Sequence, residues 1–135
     1  IRDSVWAFEQ RPEAEVLYGA FVIDDMLRVS SEDSGAMPWA FLNRWDRAAL
    51  RQNNLADIGA IAHRAGLAEG HFDESLRTMA DWDLLLRLTA QRDALVLPAV
   101  ACYYTTDAPD RLTKGPTHDA DLARVLAKIS DDAER

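Results

Sequence analysis

The segment HFDESLRTMADWDLLLRLTAQRDALVLPAVACYYT, residues 71–105, carries the clearest structural pattern in the chain. Four of its side chains recur at helical spacing on one face: Trp82, Leu85, Leu86 and Thr89. This spacing predicts a helix over residues 79–91. The apolar run of residues 94–104 follows and predicts a strand, bulged or broken at Pro98 because proline lacks a backbone N–H. The segment therefore predicts a loop, a helix and a strand in close succession.

Strands and helices alternate through the rest of the chain, which predicts an α/β fold. The run VLYGAFVI, residues 16–23, is typical of a strand. An amphipathic helix is expected over residues 118–132, with four apolar side chains directed inward: Leu122, Val125, Leu126 and Ile129. Weaker patterns predict the end of a helix over 3–11, a short helix within 39–52, a strand over 58–62, and loops over 28–38, 66–77 and 105–117.

The composition is that of an ordinary globular domain. Apolar residues make up 48% and charged residues 28% of the 135 residues, enough for one domain at most. No apolar run approaches the length needed to cross a bilayer. The formal charge of −8, from 15 basic and 23 acidic side chains, disfavours binding to nucleic acid or anionic lipid. Cys102 is the only cysteine, so no internal disulfide can form, and its apolar setting predicts a buried, inert thiol.

A longer motif pattern runs through the same segment. A glycine and FDE are followed by an acidic helix start, by W-D-L-x-L-R, and by a strand leading to a proline and a tyrosine. In this pattern the chain resembles the acceptor-side half of a family 2 glycosyltransferase. The matching positions are Gly70, Phe72, Asp73, Glu74, Asp81, Trp82, Asp83, Leu84, Leu86, Arg87, Pro98, and Tyr103 or Tyr104. Two positions depart from it: Ala80 stands where Glu is usual, and His71 stands where a second Gly is common.

The resemblance covers nearly the whole chain and implies part of a GT-A (nucleotide-diphospho-sugar transferase-like) fold, with a mixed sheet flanked by helices. Residues 1–135 would form a single domain, the C-terminal part of a transferase whose donor-binding half and Asp-x-Asp motif lie upstream. The strand of residues 94–104 would then lie beside that of residues 16–23, a pairing that would argue against a chance match with an unrelated α/β domain. Without the upstream half, the apolar flank of residues 16–23 would be uncovered, so we expect a homo-oligomer.

The implied partners are a nucleotide-sugar donor and a glycan or other acceptor that carries a hydroxyl. A divalent ion, Mg²⁺ or Mn²⁺, would neutralise the leaving diphosphate, with ligands mostly upstream and none expected in this chain. The implied location is the cytoplasm, with any membrane association provided by parts outside these residues. The alternative is a non-catalytic binding or assembly module derived from the same fold, because Ala80 replaces a carboxylate of the motif.

Asp81 is the leading candidate for a catalytic residue. Inverting sugar transfer needs a carboxylate that takes the proton from the acceptor hydroxyl as it attacks the anomeric carbon. The resemblance gives this role of general base to Asp81. A structural explanation is also available, because Thr78-x-x-Asp81 matches a capping box and acidic residues favour helix N-termini in any case.

Four further residues are candidates for substrate binding: Asp73, Glu74, Trp82 and Arg64. By resemblance, Asp73 and Glu74 help to shape the acceptor pocket, although a solvated turn would use the same residue types. Trp82 could stack on an acceptor sugar, but its place on the apolar helix face favours the core. Arg64 could face a phosphate or could belong to a surface basic pair with His63.

Other acidic residues have simpler explanations. Asp83 precedes Arg87 by four residues, which is the favoured order for an ion pair along a helix. Asp24 and Asp25 follow the strand of residues 16–23 and are better explained as a strand-end turn than as a donor-binding turn, because no Gly-Ser follows them.

Overall fold

The computed structural model describes residues 1–23, 39–104 and 117–133, with the side chains of the last helix described as far as residue 131. The fold is α/β, with a four-stranded sheet flanked by helices. The helices are α1 (Arg2–Gln10), α2 (Arg47–Leu50), α3 (Ala80–Leu88) and α4 (Thr117–Ala133). The strands are β1 (Val16–Ile23), β2 (Trp39–Phe41), β3 (Ile61–His63) and β4 (Leu95–Tyr104). A 3₁₀ turn, Ile58–Ala60, leads directly into β3.

Strand β1 is the centre of the sheet. β4 runs parallel to it along one edge, with Leu17 opposite Leu95 and Ile23 opposite Tyr104. β2 and β3 are antiparallel to β1 and share its other edge, where they pair with opposite ends of the strand. The expected pairing of residues 94–104 with residues 16–23 is therefore confirmed. Register shifts occur between Gly19 and Phe21, opposite the part of β4 that contains Pro98, as predicted for a bulge.

The sheet topology contradicts the expectation that an exposed flank of β1 would drive self-association. Because β1 has a hydrogen-bonded neighbour on both edges, its flank is covered within the chain itself, and the prediction that it would be exposed is wrong. Oligomerisation stays a prediction without that support.

Several element boundaries differ from the sequence prediction. The short helix expected within residues 39–52 is the single turn α2, which begins where Asp46 Oδ1 accepts hydrogen bonds from Ala48 and Ala49 N. Residues 39–41 of that range form strand β2, which was not expected. The strand expected over 58–62 opens as a 3₁₀ turn, since Asp57 Oδ1 accepts from Gly59 N. The predicted loop over 28–38, all but the last residue of the predicted loop over 105–117, and Asp24 and Asp25 lie outside the described residues, and Thr117 begins α4.

The core forms where α3 packs against the sheet and α4. Its largest buried side chains come from β1, from α2 and the connection after it, from the loop before α3, and from α3 and α4: Val16, Tyr18, Leu50, Leu55, Leu76, Trp82, Leu84, Leu85, Leu88 and Val125. On α4, Leu122 and Ile129 lean on this core beside Val125, but Leu126 is 42% exposed, so its predicted inward position is wrong. Each helical residue is turned by about 100° from the last, and Leu126 is thereby rotated away from the stripe of the other three.

Trp82 belongs to this core, as its helical spacing predicted. The residue is 3% exposed, and its indole Nε1 donates a hydrogen bond to Leu50 O at 2.6 Å. We expect Trp82→Phe to lower the free energy of unfolding by about 2–3 kcal/mol, because the carbonyl loses its partner and a cavity is left. Urea denaturation measures this, and Trp6→Phe is the control, because Trp6 is 58% exposed and its replacement should change stability by less than about 0.5 kcal/mol. Equal losses in the two variants would contradict the assignment.

Candidate functional site

Asp81 lies in the first turn of α3 and is partly buried. Its Oδ1 accepts a hydrogen bond from Trp82 N, and its Oδ2 accepts one from Asn54 Nδ2, both at 2.9 Å. The carboxylate is thus fixed by its own helix on one side and by the connection after α2 on the other. A carboxylate offers about four lone-pair sites, so two hydrogen bonds leave capacity to accept another proton donor.

The capping-box explanation of Asp81 is wrong. The residue that precedes α3 is Met79, whose backbone is left-handed with φ of 58° and whose side chain makes no capping hydrogen bond. Thr78 Oγ1 instead donates to Asp121 Oδ2 at 3.1 Å. The pairing with Asn54, a residue distant in sequence, therefore needs an explanation other than helix capping.

The surroundings of Asp81 make its carboxylate more basic than usual. Burial raises the pKa of Asp81, and the negative charge of Asp57 raises it further, while the hydrogen bonds from Trp82 and Asn54 act in the opposite direction. Asp57 also lies against Cys102, whose Sγ is 3.9 Å from Asp57 Oδ1. The Cys102 thiol is partly buried, and burial together with Asp57 raises its pKa, so it stays protonated at neutral pH.

Asp73 and Asp83 are joined by one cation. Lys128 Nζ on α4 lies 2.7 Å from Asp73 Oδ2 and 2.6 Å from Asp83 Oδ1. The bond with Lys128 is the main reason that the pKa of Asp73 is held well below its usual range, and Ser75 N adds to it. Asp83 also accepts from Arg87 Nε at 2.9 Å, which confirms the predicted helical ion pair.

The loop before α3 is held by backbone contacts as well. Arg87 donates to the carbonyl oxygens of Glu69 and His71. From α4, Asp121 Oδ2 accepts from the N–H groups of Arg77 and Thr78, and Arg124 donates to Ser75 O. These contacts fix the chain that leads into α3, and so fix the position of Asp81 in the first turn of that helix.

The four predicted substrate-binding residues have different surroundings. Asp73 is engaged with Lys128, and Glu74 is exposed at the loop surface. Trp82 has no free indole face on which a sugar could stack, so a stacking role does not agree with its burial. Arg64 binds the backbone: Nε donates to Ala14 O, Nη2 donates to Phe8 O, and the guanidinium lies 4.9 Å from the Phe8 ring centre. Arg64 thus ties α1 to β3 and is not directed at a phosphate.

The tie between Asp73 and Lys128 predicts a pH dependence. Because the folded pKa of Asp73 lies below its ordinary value of 3.8, the ionised carboxylate stabilises the fold above that pH, and the contribution is lost as the pH falls through the folded pKa. Wild type should therefore be more stable than Asp73→Asn near neutrality, and the difference should shrink as the pH falls below the ordinary value of 3.8. Urea unfolding from pH 7 to pH 2 measures the difference, with Glu74→Gln on the same loop as the control that stays near wild type. A difference that is constant with pH would contradict the tie.

A cleft of about 510 Å³ opens elsewhere, between α2, α3 and α4. Its charged lining consists of Arg47, Arg51, Arg87, Lys128, Asp83 and Asp131. Asp81 does not line it. The cations are already engaged by carbonyl oxygens or carboxylates, so the cleft presents no cation without a partner and is not the candidate site.

The described residues do not by themselves fit a metal. Among them, no group of three or more His, Cys, Asp and Glu side chains is arranged to hold an ion. His118 Nδ1, at the start of α4, is a buried nitrogen without a hydrogen-bond partner, but one such ligand does not make a site. A divalent ion would therefore need ligands from outside the described residues. In the same part of the chain, no helix combines the length and the apolar character needed to span a membrane.

Comparisons of the chain with protein-family models, curated proteins and solved structures found no match. The geometry around Asp81 is therefore the basis for a functional proposal. Sequence patterns had missed Asn54 and Asp57, whose only signal was a polar turn, NNLAD, of a kind that many loops contain.

Proposed function

We propose that this chain is the acceptor-side part of an inverting glycosyltransferase of the GT-A type, in which Asp81 is the general base. The observation that carries the proposal is the state of that carboxylate. It is partly buried with a raised pKa, held by two hydrogen bonds, and still able to accept a proton. A base with these properties suits proton removal from a sugar hydroxyl, because a raised pKa increases the driving force for proton transfer.

The proposed step is a single displacement. The acceptor oxygen forms a bond to the anomeric carbon of the nucleotide sugar, and its O–H proton passes to a carboxylate oxygen of Asp81. The bond from the anomeric carbon to the nucleoside diphosphate breaks, and the electron pair leaves with the diphosphate. Because the acceptor attacks from the face opposite the leaving group, the configuration at the anomeric carbon is inverted.

The sheet supports this assignment. Strands β1 and β4 are paired, as the motif resemblance implied, and they run parallel with α3 between them in sequence. It also places the start of α3 in a fixed relation to the sheet, through the core contacts of Trp82 and Leu85. The nucleotide-sugar donor and a divalent ion, Mg²⁺ or Mn²⁺, belong to the same proposal; the ligands of the ion would lie mostly upstream of these residues, and the ion would supply positive charge to balance the diphosphate.

One observation favours a non-catalytic binding module as the second candidate. Ala80, where the motif usually has Glu, is partly buried against the core, so a methyl group occupies the place of a second carboxylate next to Asp81. If that carboxylate is required for acceptor binding, the chain would keep the shape of the site but would not catalyse sugar transfer.

The test uses a polypeptide that contains residues 1–135 together with any residues that precede them in the natural protein. It is incubated with a panel of nucleoside diphosphate sugars, Mg²⁺ or Mn²⁺, and hydroxyl acceptors, and the release of nucleoside diphosphate is measured. We expect release that depends on the acceptor. Binding of a nucleotide sugar without release would favour the binding module, and absence of both binding and release would overturn the transferase proposal.

A further inference from the structure

The connection after α2 is built against Asp81. Asn54 donates from Nδ2 to Asp81 Oδ2 at 2.9 Å, while its own Oδ1 accepts from Ala56 N at 3.3 Å. Three residues after Asn54, Asp57 is fixed by accepting a hydrogen bond from Gly59 N at 2.9 Å. One short segment therefore supplies an amide donor to Asp81 and carries a second, fixed carboxylate whose negative charge acts on Asp81.

We propose that the segment of residues 54–57 sets the position and the surroundings of Asp81: Asn54 is a positioning residue that holds one carboxylate oxygen, and Asp57 is a second carboxylate that the same segment fixes in place. The catalytic meaning of this inference rests on the proposed transferase function. The geometric part of the inference does not rest on that function, because the hydrogen bonds from Asn54 and Trp82 to Asp81 are present whatever the chain binds. Asn54 holds Oδ2 and Trp82 N holds Oδ1, so the plane of the carboxylate is set from two separate elements.

The two residues act on Asp81 in opposite directions. The N–H of Asn54 stabilises the ionised form and lowers the pKa of Asp81, whereas the charge of Asp57 destabilises it and raises that pKa. Burial is the largest influence and also raises it. Cys102 borders Asp57, but its raised pKa keeps the thiol neutral, so it adds no charge at neutral pH.

This opposition has a functional consequence. A general base must be ionised at the working pH and must also be basic enough to pull a proton from a hydroxyl. The hydrogen bond of Asn54 keeps Asp81 ionised and oriented, while burial and Asp57 keep it basic. If Asn54 served only to close the turn after α2, its replacement would not change the pKa of Asp81.

The test is a ¹³C NMR titration of the Asp81 carboxyl in the chain with labelled aspartate. We expect Asn54→Ala to raise the pKa of Asp81, because a donor to the ionised form is lost. We expect Asp57→Asn to lower it, because a neighbouring negative charge is removed while an oxygen remains to accept from Gly59 N. Asp119→Asn is the control: Asp119 is an exposed acid in the first turn of α4, and its replacement should leave Asp81 unchanged.

Opposite shifts in the two variants support the inference, and shifts of the same sign, or none, overturn it. If Asn54→Ala does not fold, the Asp57→Asn arm still decides the electrostatic part.

In the turnover assay, Asn54→Ala should lower kcat at least tenfold with an unchanged KM for the donor, because a misplaced base slows the chemical step. If Asp81→Asn retains full turnover, the proposed function fails. If Asp81→Asn is inactive but neither variant shifts the titration, the function stands and this inference fails.

Discussion

Asp81→Asn is expected to lower turnover by roughly 10²–10⁴-fold while leaving the fold and donor binding intact. The amide has nearly the same size as the carboxylate, and its oxygen can still accept one of the two hydrogen bonds that come from Asn54 and Trp82. It cannot take a proton from the acceptor. The loss should therefore appear in kcat, with KM for the nucleotide sugar close to the wild-type value.

Stability gives a second, independent signature of the same variant. Because burial raises the folded pKa of Asp81, the ionised carboxylate destabilises the fold at pH values above that pKa. The stability of Asp81→Asn relative to wild type should therefore be highest near neutrality and should decrease as the pH falls from the folded pKa to the ordinary value of 3.8. Asp119→Asn is the matched control, with normal turnover and little change in stability. Near-wild-type turnover of Asp81→Asn would remove the catalytic assignment.

The sequence predicted those elements whose pattern repeats often enough to be recognised. Strand β1, helix α3 and strand β4 each carry long apolar patterns, and all three were found within a few residues of the expected bounds. Strand β2 was missed because three exposed residues, Trp39–Phe41, cannot display a period. It exists because β1 offers it an unpaired edge, which is a property of the assembled sheet.

The site was only partly predictable for a related reason. The sequence could nominate Asp81 by its motif, but it could not show that Asn54, 27 positions earlier, would donate to it. In the same way, Lys128 donates hydrogen bonds to Asp73 and Asp83, which lie 55 and 45 positions earlier in the sequence. These contacts depend on how α4 and the connection after α2 pack against α3, and single-sequence patterns carry no information on that packing.

Asp83 illustrates how much such a contact changes the energetics. From sequence alone, its pair with Arg87 would contribute roughly 0.2–0.5 kcal/mol, as expected for an exposed pair along a helix. In the fold, Asp83 is 2% exposed and accepts hydrogen bonds from both Arg87 and Lys128. Its replacement therefore disturbs a buried charge network, so Asp83→Asn is unsuitable as a neutral control for Asp81.

We expect Asp83→Asn to lower the free energy of unfolding by about 3 kcal/mol. A neutral amide offers one acceptor oxygen in place of two charged ones and turns an N–H group towards a cation, and hydrogen bonds to charged groups contribute about 1.5–3 kcal/mol each. The partial exposure of Arg87 and Lys128 lets water compensate in part, which keeps the loss below the upper end of the range for buried pairs. Urea denaturation at pH 7 measures the change.

The control for Asp83→Asn is Asp93→Asn, which breaks the exposed ion pair with Arg47 and should leave stability close to that of wild type. Lys128→Met provides an independent arm, because it removes the cation that joins Asp83 to Asp73. If the network is real, the losses of Asp83→Asn and Lys128→Met will not add in the double variant, since each removes the same contact. Full additivity, or a loss in Asp83→Asn no larger than in Asp93→Asn, would show that Asp83 is only the weak helical partner that its spacing predicts, and that α4 does not hold the loop before α3 through Lys128.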